Sequence, residues 1–134
     1  VADGKVHPNK TVYSGTITLD YAASQVIVGL SFTPKIVLYT PIIADEKGTS
    51  QGGKISISQV IVNLYQTLGL TINKKEVPFR RFNVDPLGIP LDLYTGSKEV
   101  KMSGWGSEEN VELTQPLPMP WIVLSTVLYV TSKD

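Results

Sequence analysis

Lys54-Ile55-Ser56-Ile57-Ser58-Gln59-Val60-Ile61-Val62-Asn63-Leu64-Tyr65 is the stretch that decides the fold class. Its odd positions are Ile55, Ile57, Gln59, Ile61, Asn63 and Tyr65, and its even positions are Lys54, Ser56, Ser58, Val60, Val62 and Leu64. The even face begins polar and ends apolar. Two strand geometries produce that change: a strand running from a solvated rim into a covered centre, or a bulge near Gln59 that exchanges the faces. A helix is the competing reading. The density of β-branched side chains, which lose rotamer freedom in a helix and pack well on a pleat, argues against it.

The same period of two appears on both sides. Residues 12–19 alternate, 25–30 form a short β-branched run, and 35–43 form a second one with Pro41 inside it. A proline cannot donate to a ladder, so Pro41 marks an edge or a bulge. Residues 45–53, with Gly48, Gly52 and Gly53, read as the clearest loop. Downstream, 71–75 reads as a turn and 77–84 as a strand. Residues 85–90 read as a loop. Residues 91–94 and 99–103 read as short strands around a Thr95-Gly96-Ser97 turn, and 111–114 as another. Pro116, Pro118 and Pro120 favour an extended linker. The last strand is 121–130. Short strands separated by turn residues, with no three-turn helical pattern, predict an all-β chain: an antiparallel β-sandwich of about eight or nine short strands. Residues 1–11 read as an N-terminal lead-in and 12–134 as a single sandwich domain.

Composition narrows the function. The chain has 134 residues, enough for one domain with a real core. It has no cysteine, which excludes disulfides and thiolate chemistry. His7 is its one histidine, near the N-terminus, and reads as a terminal polar residue. A single histidine excludes a multi-histidine metal site and disfavours a Ser-His-Asp triad. Twelve basic and twelve acidic residues balance, so no basic excess points to nucleic acid. No stretch is long and apolar enough for a membrane span, so no membrane insertion is expected. The chain does not begin with methionine and reads as a processed form or a fragment.

The acidic pairs Asp45-Glu46 and Glu108-Glu109 read as solvated loop charges, because neighbours on an extended chain point to opposite faces. Asn9-Lys10-Thr11 fits a glycosylation triplet without a secretory signal to support it. Gly104-Trp105-Gly106 has no helix after it and fails the dinucleotide test. No Gly-x-Ser-x-Gly elbow and no phosphate loop is present, so no catalytic residue, metal ligand or cofactor is assigned. Trp105, with carboxylates nearby, is a candidate saccharide contact, with Tyr94, Asp92, Arg80 and Asn83 as a second cluster. The competing reading makes Trp105 a cover for the end of the core. Trp121 reads as core or interface. On 121–130 both faces are apolar, and Val123, Leu124, Val127 and Leu128 are the candidate oligomer interface. A low charged fraction of 18% also favours association.

Gly29-Leu30-Ser31-Phe32-Thr33-Pro34-Lys35-Ile36-Val37-Leu38 resembles a strand–turn–strand phrase of β-sandwich modules in bacteriophage tail, fibre and baseplate proteins. Lys10-Thr11-Val12-Tyr13-Ser14-Gly15 is similar to spacer phrases in phage fibre proteins. The nearest named group is the shoulder-type sandwich of phage receptor-binding proteins. The resemblance covers about a quarter of the chain. It implies that Phe32 plugs the core and Pro34 shapes the turn. It also implies a non-enzymatic virion component, located in the tail or baseplate and serving host adsorption or assembly. The partners it implies are further copies of the chain, a trimer being favoured, other tail proteins, and a host cell-surface saccharide. A second resemblance is to H-type lectins, small sandwiches with a Phe-x-x-Pro turn and a late tryptophan strand, which makes a carbohydrate-binding module the alternative. Trp121 is followed here by Ile-Val-Leu rather than a small residue, so no sugar-binding position carries over.

Overall fold

A computed structural model describes residues 1–45, 48–49, 53–81, 85, 89–103 and 110–133. Among the described residues the chain is all-β and antiparallel, with no helix. Its strands are β1 (Lys35–Val37), β2 (Ala44–Asp45), β3 (Gly48–Thr49), β4 (Lys54–Thr67), β5 (Thr71–Ile72), β6 (Lys75–Glu76), β7 (Tyr94–Lys101), β8 (Glu112–Thr114) and β9 (Val123–Lys133).

The deciding stretch is the central strand. β4 lies between β7 and β9 in a three-stranded sheet. Its ladder to β9 shifts register between Ile57 and Gln59, and burial changes parity there: Ile55 and Ile57 are buried before the shift, Val60, Val62 and Leu64 after it. The bulge, rather than a solvated rim, therefore explains the change of face. It inserts one residue, and everything beyond it rotates to the other side of the sheet.

A second sheet has the order β1-β8-β5-β6, and β2 and β3 form a separate hairpin. β5 and β6 are joined through Asn73 and Lys74, both with positive φ, the backbone of a primed hairpin turn. The Asn73 side chain anchors that turn, accepting from the Glu112 amide at 2.7 Å and donating to the Asn110 carbonyl at 3.2 Å. One apolar cluster draws on both sheets. Val60, Val62, Leu64 and Val100 come from the first, Ile72 and Leu113 from the second, and Leu70, Val77 and Val111 from adjoining segments. A core shared between two sheets is what a two-layer arrangement requires. Each fully buried Leu, Ile or Val in it contributes about 1.5–3 kcal/mol.

Several expected strands do not form. Residues 12–19 and 25–30 carry only isolated bridges. Ser14 and Gly15 take positive φ, so Tyr13 and Thr16 bridge across a tight turn and the alternation breaks there. Instead the first 28 residues close on themselves. Val1 and Ile27 exchange both backbone hydrogen bonds, and the Asp3 carboxylate accepts from the amides of Ser24 and Gln25. His7 is not a loose terminal residue: it is buried at the centre of this closure. Only Lys35–Val37 of the 35–43 run is strand, the Leu38 amide continues it by donating to the Val111 carbonyl at 2.9 Å, and Pro41 lies outside any strand. The described part of 77–84 is not a strand, and residues 82–84 lie outside the described residues.

Thr95-Gly96-Ser97 is not a turn but lies within the first half of β7. A β-carbon on Gly96 would stand 3.0 Å from the Tyr94 hydroxyl, so the glycine there makes room for a neighbour's side chain within a continuous ladder. Phe32 does not plug the core; it is 82% exposed. β1 is three residues long and starts after Pro34, so the preceding residues run past the core without entering it.

Candidate functional site

The residues proposed for saccharide contact are only partly brought together. Asn83 and Trp105 lie outside the described residues, as do Glu46, Glu108 and Glu109. Tyr94, which opens β7, is half-buried and committed to its own chain. Its hydroxyl donates to the Ser97 carbonyl at 2.8 Å, the Lys98 ammonium sits 4.4 Å from its ring centroid, and Phe79 meets it edge-on at 5.8 Å. The ammonium also donates to the Pro78 carbonyl at 2.9 Å. A cation held between two aromatic rings stabilises this corner and occupies the ring that a sugar would stack on.

Arg80 and Asp92 are exposed. The Arg80 guanidinium reaches the carbonyls of Asp85 and Ile89 at 3.4 and 3.5 Å. Next to it, Asp85 accepts from the Arg81 amide at 2.6 Å and from its guanidinium at 3.0 Å. These bonds hold the Asp85 carboxyl below the usual carboxylate range and raise Arg81 further; Asp92 adds a smaller attraction on Arg81. The cluster is an arginine–aspartate staple across a loop.

Arg80 also lines a groove of about 480 Å³ bounded by the N-terminal turn at Gly4, by Val77 and Phe79, by Ile89, and by Leu117 and Met119. Its size is within the range of ligand sites, but its walls are mainly apolar, with Lys5, Glu76 and Arg80 the charged members. Sugar recognition needs convergent amide, hydroxyl and carboxylate groups; among the described residues this lining supplies the Glu76 carboxylate but no side-chain amide or hydroxyl.

The one histidine is occupied. His7 Nε2 accepts from the Asp20 amide at 3.2 Å, Nδ1 donates to the Pro8 carbonyl at 2.9 Å, and the ring lies 5.2 Å from that of Tyr21. This fits the neutral Nδ1–H tautomer. Lys10 hydrogen-bonds to the Asp20 carboxylate and, as the largest cause, holds it below its ordinary range.

The proposed interface residues divide between two faces. Val123 and Leu128 pack against the shared core, as does Trp121, whereas Leu124 and Val127 are exposed. Pairing explains the split: Leu128 lies opposite buried Val60, and Val127 opposite Ile61 on the outer face. Other exposed apolar side chains lie along 28–42, where Leu30 is 98% and Tyr39 96% exposed. Sequence reading placed these side chains in strands. The β-branched run at 25–30 and the turn expected at 31–34 gave no sign that Leu30, Phe32 and Tyr39 are left uncovered by their own chain.

No protein-family model and no curated protein matches the chain.

Proposed function

We propose that this chain is a non-enzymatic, self-associating structural module of a bacteriophage tail, baseplate or fibre protein, serving assembly or host adsorption. The observation that supports it is the run of exposed apolar side chains from Val28 to Ile42, including Leu30, Phe32 and Tyr39. Monomeric proteins rarely leave large apolar patches to water, and a module built into a larger assembly covers such side chains there. The all-β, cysteine-free chain and the phage-like phrase at 29–38 agree with this reading.

The test is twofold. Flanking genes that encode other tail or baseplate components support the proposal, and flanking genes of metabolism overturn it. Light scattering on the purified chain at low micromolar concentration should give a mass that is a multiple of 14.6 kDa.

A further inference from the structure

Asp20 is held twice by the stretch that precedes it. His7 Nε2 accepts from its backbone amide at 3.2 Å, and Lys10 hydrogen-bonds to its carboxylate Oδ1. The other carboxylate oxygen, Oδ2, stands 3.7 Å from the same Nε2. One ring nitrogen thus faces a donor and an acceptor that belong to a single residue. An imidazole with its proton on Nδ1 can use only the donor. An imidazolium, with a proton on each nitrogen, can use only the acceptor.

The surroundings allow that exchange. Nδ1 donates to the Pro8 carbonyl in either state, so the ring stays anchored. The His7 side chain is 5% exposed, whereas that of Asp20 is 50% exposed and has room to turn. A buried imidazolium needs a counter-charge, and the Asp20 carboxylate supplies it. The other groups facing the cluster are the Lys10 ammonium, on the far carboxylate oxygen, and the Tyr21 ring, 5.2 Å from the imidazole. Among the described residues, His7 and Lys10 make the hydrogen bonds that join residues 7–10 to Asp20 across the loop between them. That loop carries Val12 and Tyr13, 58% and 84% exposed.

We propose that His7 is a pH-operated latch on Asp20: when Nε2 takes a proton from solvent, the ring's hydrogen bond passes from the Asp20 amide to the Asp20 carboxylate. The amide is then left to water, and Lys10 shares the carboxylate it held alone. An imidazole gains its proton between about pH 8 and pH 5. Lys10 lowers the Asp20 carboxyl, so Asp20 is still charged over that range and can receive the ring. The bonds between residues 1–3 and 24–27 involve no imidazole, so the loosening is confined to the 11–19 loop and the Asp20 amide. The latch goes beyond the assembly reading above and does not depend on it.

The test is an NMR titration of the isotope-labelled full chain from about pH 8 to pH 5. His7 is the one histidine, so long-range proton–nitrogen correlations of its ring report the protonation without overlap. As the ring titrates, the Asp20 amide resonance should move. Its hydrogen-exchange protection, corrected for the intrinsic rate at each pH, should fall about fivefold or more with the same midpoint, since a buried amide loses its acceptor. His7→Gln offers an amide oxygen to the Asp20 amide but takes up no proton, and should show neither change. Asp20→Asn removes the charged acceptor, so the ring should gain its proton at lower pH than in the parent chain. Lys10→Gln removes the competing cation, so it should do so at higher pH. An Asp20 amide that stays protected while the ring titrates overturns the proposal, and so does a change that persists in His7→Gln. A ring that titrates at the same pH in Asp20→Asn as in the parent also overturns it, because the carboxylate is then not its acceptor. If His7→Gln does not fold, the parent chain and Lys10→Gln decide the matter.

Discussion

Gln115 occupies the space that a side chain on Gly69 would need. A β-carbon on Gly69 would stand 2.5 Å from Gln115 Oε1, and Gly69 takes φ of +102°. The Gln115 amide is buried there, donating to the Leu68 carbonyl at 2.7 Å and accepting from the Leu117 amide at 3.2 Å. It ties the end of β4 to the proline-rich segment leading into β9. Gly69→Ala should therefore destabilise the fold by about 2–4 kcal/mol, from backbone strain and overpacking together. Urea unfolding reads the loss as a lower midpoint. An unchanged midpoint would show that Gln115 can move aside at little cost.

Thr67 offers a second lock at the same end of β4. Its hydroxyl accepts from the Ile122 amide at 2.9 Å and lies within donor distance of the Tyr65 and Ile122 carbonyls. Thr67→Val keeps the shape and leaves the Ile122 amide without the hydroxyl it donates to, a cost of about 1–3 kcal/mol, while the Ile122 carbonyl keeps the Tyr65 amide. Thr67→Ser should retain most of the stability. A loss in Thr67→Ser without a loss in Thr67→Val would assign the role to the methyl group rather than the hydroxyl.

Trp121 behaves in the opposite sense. Its indole Nε1 is buried without a hydrogen-bond partner among the described residues. Trp121→Phe removes an unsatisfied donor along with some packing area, so the net change should stay within about 1 kcal/mol. A loss well beyond that in thermal or urea unfolding would mean that the indole nitrogen has a partner in solution.

Acid should loosen the N-terminal closure and the 81–85 staple before it unfolds the core. Lys10 lowers the Asp20 carboxyl and Arg81 lowers the Asp85 carboxyl. A carboxyl lowered in the folded state contributes stability that is complete above its unfolded value, about 3.9, and disappears as pH falls through the lower folded value. Hydrogen-exchange protection in residues 1–28, corrected for the intrinsic rate at each pH, should fall below about pH 4. In Asp20→Asn that acid-induced loss should be smaller, because the titrating group is gone. A loss of the same size in both proteins would place the acid sensitivity elsewhere.

The sequence by itself determined the class of structure. β-branched density and period-two alternation in 54–65 required a strand, and the change of parity near Gln59 required a rim or a bulge. Those features are local: they depend on rotamer freedom and on which side of a pleat each residue faces. The turn at Asn73-Lys74 and the terminal strand β9 were legible for the same reason. Tertiary structure decided whatever depended on a partner. Residues 25–30 and Lys54–Thr67 share β-branched character, yet only β4 finds strands on both sides and becomes core. Gly96 resembles a turn residue until the Tyr94 hydroxyl is placed beside it. His7 resembles a terminal polar residue until the Asp20 amide donates to it across the closed N-terminal segment. Burial and hydrogen-bond satisfaction belong to pairs of segments distant in the chain, so no local pattern encodes them.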